Sequence, residues 1–391
     1  MLDRLDQQPP DALLALIKLH DADPRDDKID LGVGVYKTAD GATPVFECIK
    51  QAEARLVETQ DTKAYLGPEG DMGFVRALRP HVFGEGLADS ERIEGMQTPG
   101  GTGAVRLALA LAKKADVTRV HMGTPSWPNH AQILADLGLQ LAGFDHAKAD
   151  GTPDMDALRA ALNGAGPHEA VLLHGCCHNP SGVDYSHQQW DEIAELVKAS
   201  GVLPVLDLAY QGLGDGMDED AYGVRKVLDA VPEALVAYSC DKNFGLYRDR
   251  VGALYVQAAD ADVLGRVMSN GAALARANWS MPPDHGAAAV RVALEDEGLT
   301  KVWLDELTSM RERIGQVRAR LAEAGNAGTV DLRPLGEQRG MFAMLPLTKE
   351  QIGTLREDHG IYMAGSGRIN VAGLTMANID KFVSALAEVT G

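Results

Sequence analysis

The sequence is poor in cysteine. Four residues, Cys48, Cys176, Cys177 and Cys240, in a chain of 391 form no disulfide framework, and a reduced, cytoplasmic setting fits them best. Long apolar runs are missing as well: none approaches the ~18 residues of a membrane span. The start, Met1-Leu2-Asp3-Arg4-Leu5-Asp6, carries early acids and no apolar core of a signal peptide. Basic residues are outnumbered, 37 Lys and Arg against 56 Asp and Glu, for a formal charge of -19. That balance argues against nucleic acid or an anionic membrane as the main partner. It leaves room for local Arg and Lys pockets that take small anions. There are no internal repeats and no low-complexity tracts.

What is present is an ordinary globular composition, 45 % hydrophobic and 24 % charged, in a chain too long for one compact core. Short β-rich runs at Arg119–Met122, Ala170–His174, Leu203–Asp207, Leu235–Ser239 and Val251–Val256 alternate with helical patterns such as Trp190–Lys198. Such alternation predicts an α/β fold with a mainly parallel sheet flanked by helices, whose ligands sit beyond the carboxyl ends of the strands. Trp303, Leu307, Met310, Ile314, Val317 and Leu321 recur at spacings of four and three. We read them as one long helix packed on a domain rather than as a coiled coil. The turn-rich patch Glu323–Thr329 then leads into a smaller C-terminal domain. A short helix at Asp11–Leu19 and the segment Ile29–Tyr36 join that smaller α+β domain. The expected division is 1–40 for the arm and part of the small domain, 41–310 for the large domain and 311–391 for the small one.

Three stretches carry chemistry. Thr98-Pro99-Gly100-Gly101-Thr102-Gly103 precedes the apolar run Ala104–Ala112. A glycine-rich turn opening a helix exposes backbone N–H groups to a phosphate, although a plain structural turn reads equally well from this stretch alone. Ser239-Cys240-Asp241-Lys242 is followed by Arg248 and Arg250. A lysine just past a strand end, with a hydroxyl three residues before it and arginines after it, suits a pyridoxal phosphate site; a lone lysine is more often a solvated loop residue. Asp207 ends the apolar strand Leu203–Leu206, where an unpaired carboxylate is costly. It could face a pyridinium N–H or cap the following turn, and Tyr210 could bond the phenolic oxygen of such a ring. His174-Gly175-Cys176-Cys177-His178 has soft ligands but not the spacing of a metal site, so no metal is expected. Gly32-Val33-Gly34 implies only a close backbone approach.

Taken together these stretches resemble the class I, fold-type I, pyridoxal-phosphate aminotransferases, in their aspartate and aromatic amino-acid branch. The resemblance runs from Lys28-Ile29-Asp30-Leu31-Gly32-Val33-Gly34 to Gly365-Ser366-Gly367-Arg368-Ile369-Asn370. It implies a seven-stranded, mainly parallel sheet in the large domain. It assigns Lys242 as the Schiff-base lysine and proton shuttle, and Asp207 as the partner of the ring nitrogen with His130 behind it. Trp127 would stack on the ring, and Asn179 and Tyr210 would bind its phenolate oxygen. Gly101, Thr102, Ser239 and Arg250 would hold the phosphate, joined by Tyr65 from the neighbouring subunit of a homodimer. Arg368 would grip the substrate α-carboxylate beneath a closing segment at Gly34, with Trp127 and Asn179 also facing the substrate. Arg276 of the partner would pair with a side-chain carboxylate.

The activity implied is ping-pong transfer of an amino group between an aromatic amino acid or aspartate and 2-oxoglutarate. A β-lyase or decarboxylase on the same fold is the rival, and a non-catalytic pyridoxal-phosphate-binding protein a weaker one. Two positions depart from the resemblance. Asp241 stands where relatives commonly carry serine, and Met281 where they often carry a polar residue, which tilts the distal pocket toward apolar side chains.

Overall fold

The computed structural model describes residues 2–7 and 12–391. Asp11, where the first helix is expected to begin, lies outside the described residues; the helix there is Ala12–Ala22. Seven strands form one sheet: β1 Ile93–Pro99, β2 Arg119–Thr124, β3 Gln140–Asp145, β4 Glu169–His174, β5 Leu203–Leu208, β6 Ala234–Ser239 and β7 Val251–Gln257. Their order is β1-β7-β6-β5-β4-β2-β3. Every neighbouring pair is parallel except those made by β7, which runs against both β6 and β1.

The middle strands are apolar throughout because helices cover both faces. Every residue of β6 and β7 is buried. The two strands that the sequence did not reveal have physical reasons for their silence. β3 is an edge strand with mostly exposed positions, and β1 contains Gly95 and ends on Pro99. The helix Gly100–Lys114 follows β1 and buries eleven of its residues, mostly alanine, leucine and glycine. The helix His187–Ser200 opens on a capping box in which Ser186 and Gln189 each satisfy the other's backbone N–H.

The chain divides into two compact units. The larger is Pro44–Arg313 with Gln338–Gly340, and holds the seven-stranded sheet. The smaller comprises residues to Thr43, Ile314–Glu337 and Met341–Gly391. The smaller unit pairs Ile29–Asp30 with Ile361–Tyr362 in parallel, and Phe342–Met344 with Arg368–Asn370 antiparallel. Its core gathers Leu31, Ile369, Ile379, Phe382 and Leu386, all fully buried. The long helix is Glu297–Glu323, and each of the six apolar residues that marked it in the sequence is buried. Among the described residues no helix is long and apolar enough to cross a membrane.

Register decides where the chemistry gathers. His174 is paired with Asp207, and Asp207 with Ala237, so β4, β5 and β6 end together. The segments that leave them carry Asn179, Tyr210 and Lys242 to one place.

Candidate active site

A cavity of about 120 Å³ opens at these strand ends. It is lined by Gly101, Thr102, Trp127, His174, Asn179, Asp207, Ala209, Tyr210, Ser239, Asp241, Lys242 and Arg250. All belong to the larger unit.

At one end stand the helix Gly100–Lys114 and two side chains. No side chain caps this helix and its first turn carries no acid, so the N–H groups of its first turn, at the positive end of the dipole, can meet an anion. Gly100 has φ +71, and a Cβ there would lie 2.6 Å from Arg250 Nη2. A Cβ on Gly101 would lie 2.8 Å from that of Ser239. Glycine is therefore required twice to let Arg250 and Ser239 come against the loop. Ser239 Oγ accepts the Asp241 N–H at 3.2 Å, which leaves the hydroxyl proton to donate. Arg250 Nη1 donates to Asp241 Oδ2 at 2.6 Å and to Tyr247 O at 3.0 Å.

At the other end Asp207 is buried at the end of β5, with Oδ2 2.8 Å from His130 Nε2. Burial pushes its carboxyl up, but the His130 hydrogen bond and the nearby Lys242 help outweigh it, so the net shift is downward. An ionised Asp207 makes Nε2 of His130 the donor, and the other ring nitrogen, Nδ1, lies 3.0 Å from Ser126 Oγ. Behind this pair the imidazoles of His130, His174, His178 and His146 follow one another at centroid separations of 5.1, 4.5 and 3.5 Å. Burial drives His174 down to about 3, His146 to about 4 and His178 well down, so those three are neutral at pH 7. His174 reaches the cavity and carries no role in the sequence reading; its only signal is its place at the end of a strand.

Between the ends lies Lys242. Its Nζ is 5.0 Å from the centre of the Tyr210 ring. Burial pushes its pKa down; Asp241 and Asp207 pull it up and Arg250 pushes it down, with a net lowering. Lys242 can therefore exchange a proton more readily than an ordinary lysine. Asn243 and Phe244 fix the segment behind it: Trp303 Nε1 donates to Asn243 O at 2.6 Å and its ring stacks on Phe244 at 4.4 Å.

The residues fit pyridoxal phosphate. Asn179 Nδ2 donates to Tyr210 Oη at 3.2 Å, while its buried Oδ1 has no partner. Asn179 and Tyr210 both line the cavity, and the second N–H of the amide and the phenol O–H are donors of the kind a phenolate oxygen requires. A cation, a hydroxyl and helix N–H groups at one end, with a carboxylate at the other, match a phosphate and a pyridinium.

Besides His130, which stands behind Asp207, four sequence candidates lie outside this cavity. Tyr65 is 93 % exposed in a segment without regular structure. Arg276 is exposed on the helix Ala261–Asn278 and donates to Ser280 Oγ. Gly34 and Arg368 belong to the smaller unit. There Arg368 Nη2 donates to Gly32 O at 2.8 Å and its guanidinium lies 4.8 Å from the Phe342 ring centre. A Cβ on Gly34 would stand 3.1 Å from the same ring. Asn370 Nδ2 donates to Val33 O and Val35 O at 2.6 and 2.7 Å, which ties the glycine segment to the strand of Arg368.

Among the described residues, two groups of His, Cys or Asp bring ligand-type atoms within 4.8 Å of one another: His130, His174 and Asp207, and Cys176, Cys177 and Asp220. Asp207 is already bonded to His130. Asp220 accepts from the backbone N–H groups of Gly212, Gly214 and Asp215 at 2.7, 2.9 and 2.8 Å, and so shapes the loop that follows Tyr210.

Comparison with known proteins agrees with this chemistry. A family described as aminotransferase class I and II matches residues 26–386. The chain is 50 % identical over 378 residues to a tyrosine aminotransferase of Rhizobium meliloti (strain 1021), covering 96 % of this chain and 97 % of the relative. It is 43 % identical over 397 residues to the aspartate aminotransferase of Escherichia coli (strain K12), covering the whole of each. The aromatic-amino-acid aminotransferase of Burkholderia pseudomallei, solved covalently bound to pyridoxal phosphate, superposes with a TM-score of 0.95 at 36 % identity over the full length of both.

Proposed function

The chain belongs to the class I and II aminotransferases and takes pyridoxal phosphate, and we propose that it moves amino groups between aromatic amino acids or aspartate and 2-oxoglutarate. The observation that carries the reading is the gathering of Lys242, Asp207 and Arg250 around one cavity. When bound, the cofactor supplies an electrophilic carbon for the amino group and a sink for the electrons of the Cα–H bond.

The chain's own residues do the rest. Arg250, Ser239 and the N–H groups at Gly101 and Thr102 anchor the phosphate. Asp207, kept ionised by His130, holds a proton on the ring nitrogen. Trp127 would stack on the ring, and Tyr210 and Asn179 would hold its phenolate oxygen. The Nζ of Lys242, with its lowered pKa, would take the proton from the substrate Cα and deliver it two atoms along, on the far side of the amino nitrogen. Arg368 binds the α-carboxylate through a planar fork, with Gly34 in the segment that closes over it. One set of groups serves both half-reactions, so the first product leaves before the second substrate enters.

Tyr65 and Arg276 act in the neighbouring site of a homodimer. Their exposure, and their distance in role from the cavity of their own chain, support this reading. Arg276 admits a dicarboxylate side chain and Met281 favours apolar ones, hence the dual donor range. Four buried cysteines, none in a disulfide, support a cytoplasmic setting.

The test is purified enzyme with pyridoxal phosphate, 2-oxoglutarate and L-phenylalanine, L-tyrosine or L-aspartate in turn. Glutamate should form, with parallel double-reciprocal plots. Release of ammonia, pyruvate or carbon dioxide without glutamate would overturn the assignment in favour of a lyase or decarboxylase.

A further inference from the structure

Asp241 places a carboxylate where the phosphate is to be held. Its side chain is buried, lines the cavity and lies 2.6 Å from Arg250 Nη1. Its second oxygen, Oδ1, is buried with no hydrogen-bond partner, so the carboxylate is not otherwise satisfied by the protein. A phosphate bonded to Arg250 would stand within a few ångströms of this buried carboxylate. Either the two anions share one guanidinium and repel each other, or the phosphate displaces Asp241 and breaks a charge-assisted bond. Both routes subtract from phosphate affinity.

The opposing idea is that Asp241 helps by aiming Arg250. It is weakened by what else fixes that side chain. Arg250 also donates to Tyr247 O, and its guanidinium lies against Gly100, leaving no room for a Cβ there. Its orientation therefore survives without Asp241.

We propose that Asp241 is a built-in competitor for the cofactor phosphate, acting through Arg250, so that the enzyme holds pyridoxal phosphate loosely and exchanges it. This rests on the proposed function above and deepens it. The effect falls mainly on the phosphate: pyridoxal, which has the same ring and aldehyde but no phosphate, should feel only the smaller influence of Asp241 on Lys242.

The experiment titrates apo-enzyme with pyridoxal phosphate and with pyridoxal, following the bound chromophore at equilibrium. It compares the wild type with Asp241→Ser and the near-isosteric Asp241→Asn, each first shown to melt cooperatively. Both variants should bind pyridoxal phosphate about tenfold tighter or more, with a clearly smaller gain for pyridoxal. Weaker or equal binding of pyridoxal phosphate would overturn the proposal. So would an equal gain for both ligands, which would place the effect at the neighbouring Lys242 instead. A wild type that binds neither ligand would overturn the proposed function, and this inference with it.

Discussion

Gly100→Ala tests the phosphate end of the cavity with one added carbon. Gly100 has φ +71, a conformation that costs a residue with a Cβ about 1–2 kcal/mol. The new Cβ would stand 2.6 Å from Arg250 Nη2 and 2.9 Å from its Cζ. No real contact is so short, and the guanidinium, as the end of a flexible side chain, is the group that yields. Its displacement removes a charge-assisted bond to phosphate worth about 1.5–3 kcal/mol. The expected result is a modest loss of apo-enzyme stability together with a roughly ten- to hundredfold loss of pyridoxal phosphate affinity.

The control is Gly164→Ala, with φ +88 and nothing within 4 Å of the added carbon. It should lose a similar backbone term and leave cofactor affinity alone. Denaturant unfolding of the apo forms and equilibrium titration with the cofactor separate the two effects. If Gly100→Ala is destabilised yet binds pyridoxal phosphate like the wild type, Arg250 does not grip the phosphate from its place over Gly100, and the assignment of that end of the cavity is wrong.

Two other perturbations follow from the same structure. In a mixture of equal amounts of Lys242→Ala and Arg276→Ala chains, unfolded and reassembled together, an arginine serving across the interface should restore about a quarter of the native sites toward aspartate, since half of the dimers are hybrids with one intact site; no recovery above the parent variants would place Arg276 in its own chain's site or outside any site. Burial pushes the Asp220 carboxyl up from 3.8 to about 7, against the pull of three N–H donors. Below about pH 4 the group is neutral in both states, and as pH rises toward 7 the unfolded chain ionises first. Its stabilising contribution is therefore lost between about pH 4 and 7, on the order of 2 kcal/mol from pH 5 upward. Melting curves should show the wild type losing stability relative to Asp220→Asn over that span, and parallel curves would show that the carboxylate stays ionised throughout.

The site was legible in the sequence where function and strand geometry coincide. Asp207 could be noticed because a carboxylate interrupts an apolar strand, and Lys242 because it follows a strand with Ser239 before it and Arg250 after it. Their meeting depends on the register of β4, β5 and β6, which is parallel and non-local, so no stretch of sequence displays it. For the same reason the row of His146, His178, His174 and His130 stayed hidden: its members come from three separate segments, and only His174 and His178 looked related, as misleading metal ligands. β1 and β3 escaped because a glycine-bearing strand ending in proline and an exposed edge lack the apolar run that marked the centre of the sheet.

Asp241 shows the limit most sharply. Its identity as a departure is visible in one dimension, but its consequence depends on direction. A carboxylate turned toward Lys242 would act chiefly on the lysine's proton. The observed rotation toward Arg250 puts the charge at the phosphate end, while the lysine still feels it as a pull upward on its pKa. One residue thus bears on both cofactor retention and proton transfer. Removing it should tighten the first while lowering the Lys242 pKa further, so affinity and the acid limb of the rate profile would move together. A variant that shifted only one of them would show that the two ends of the cavity are electrostatically separate.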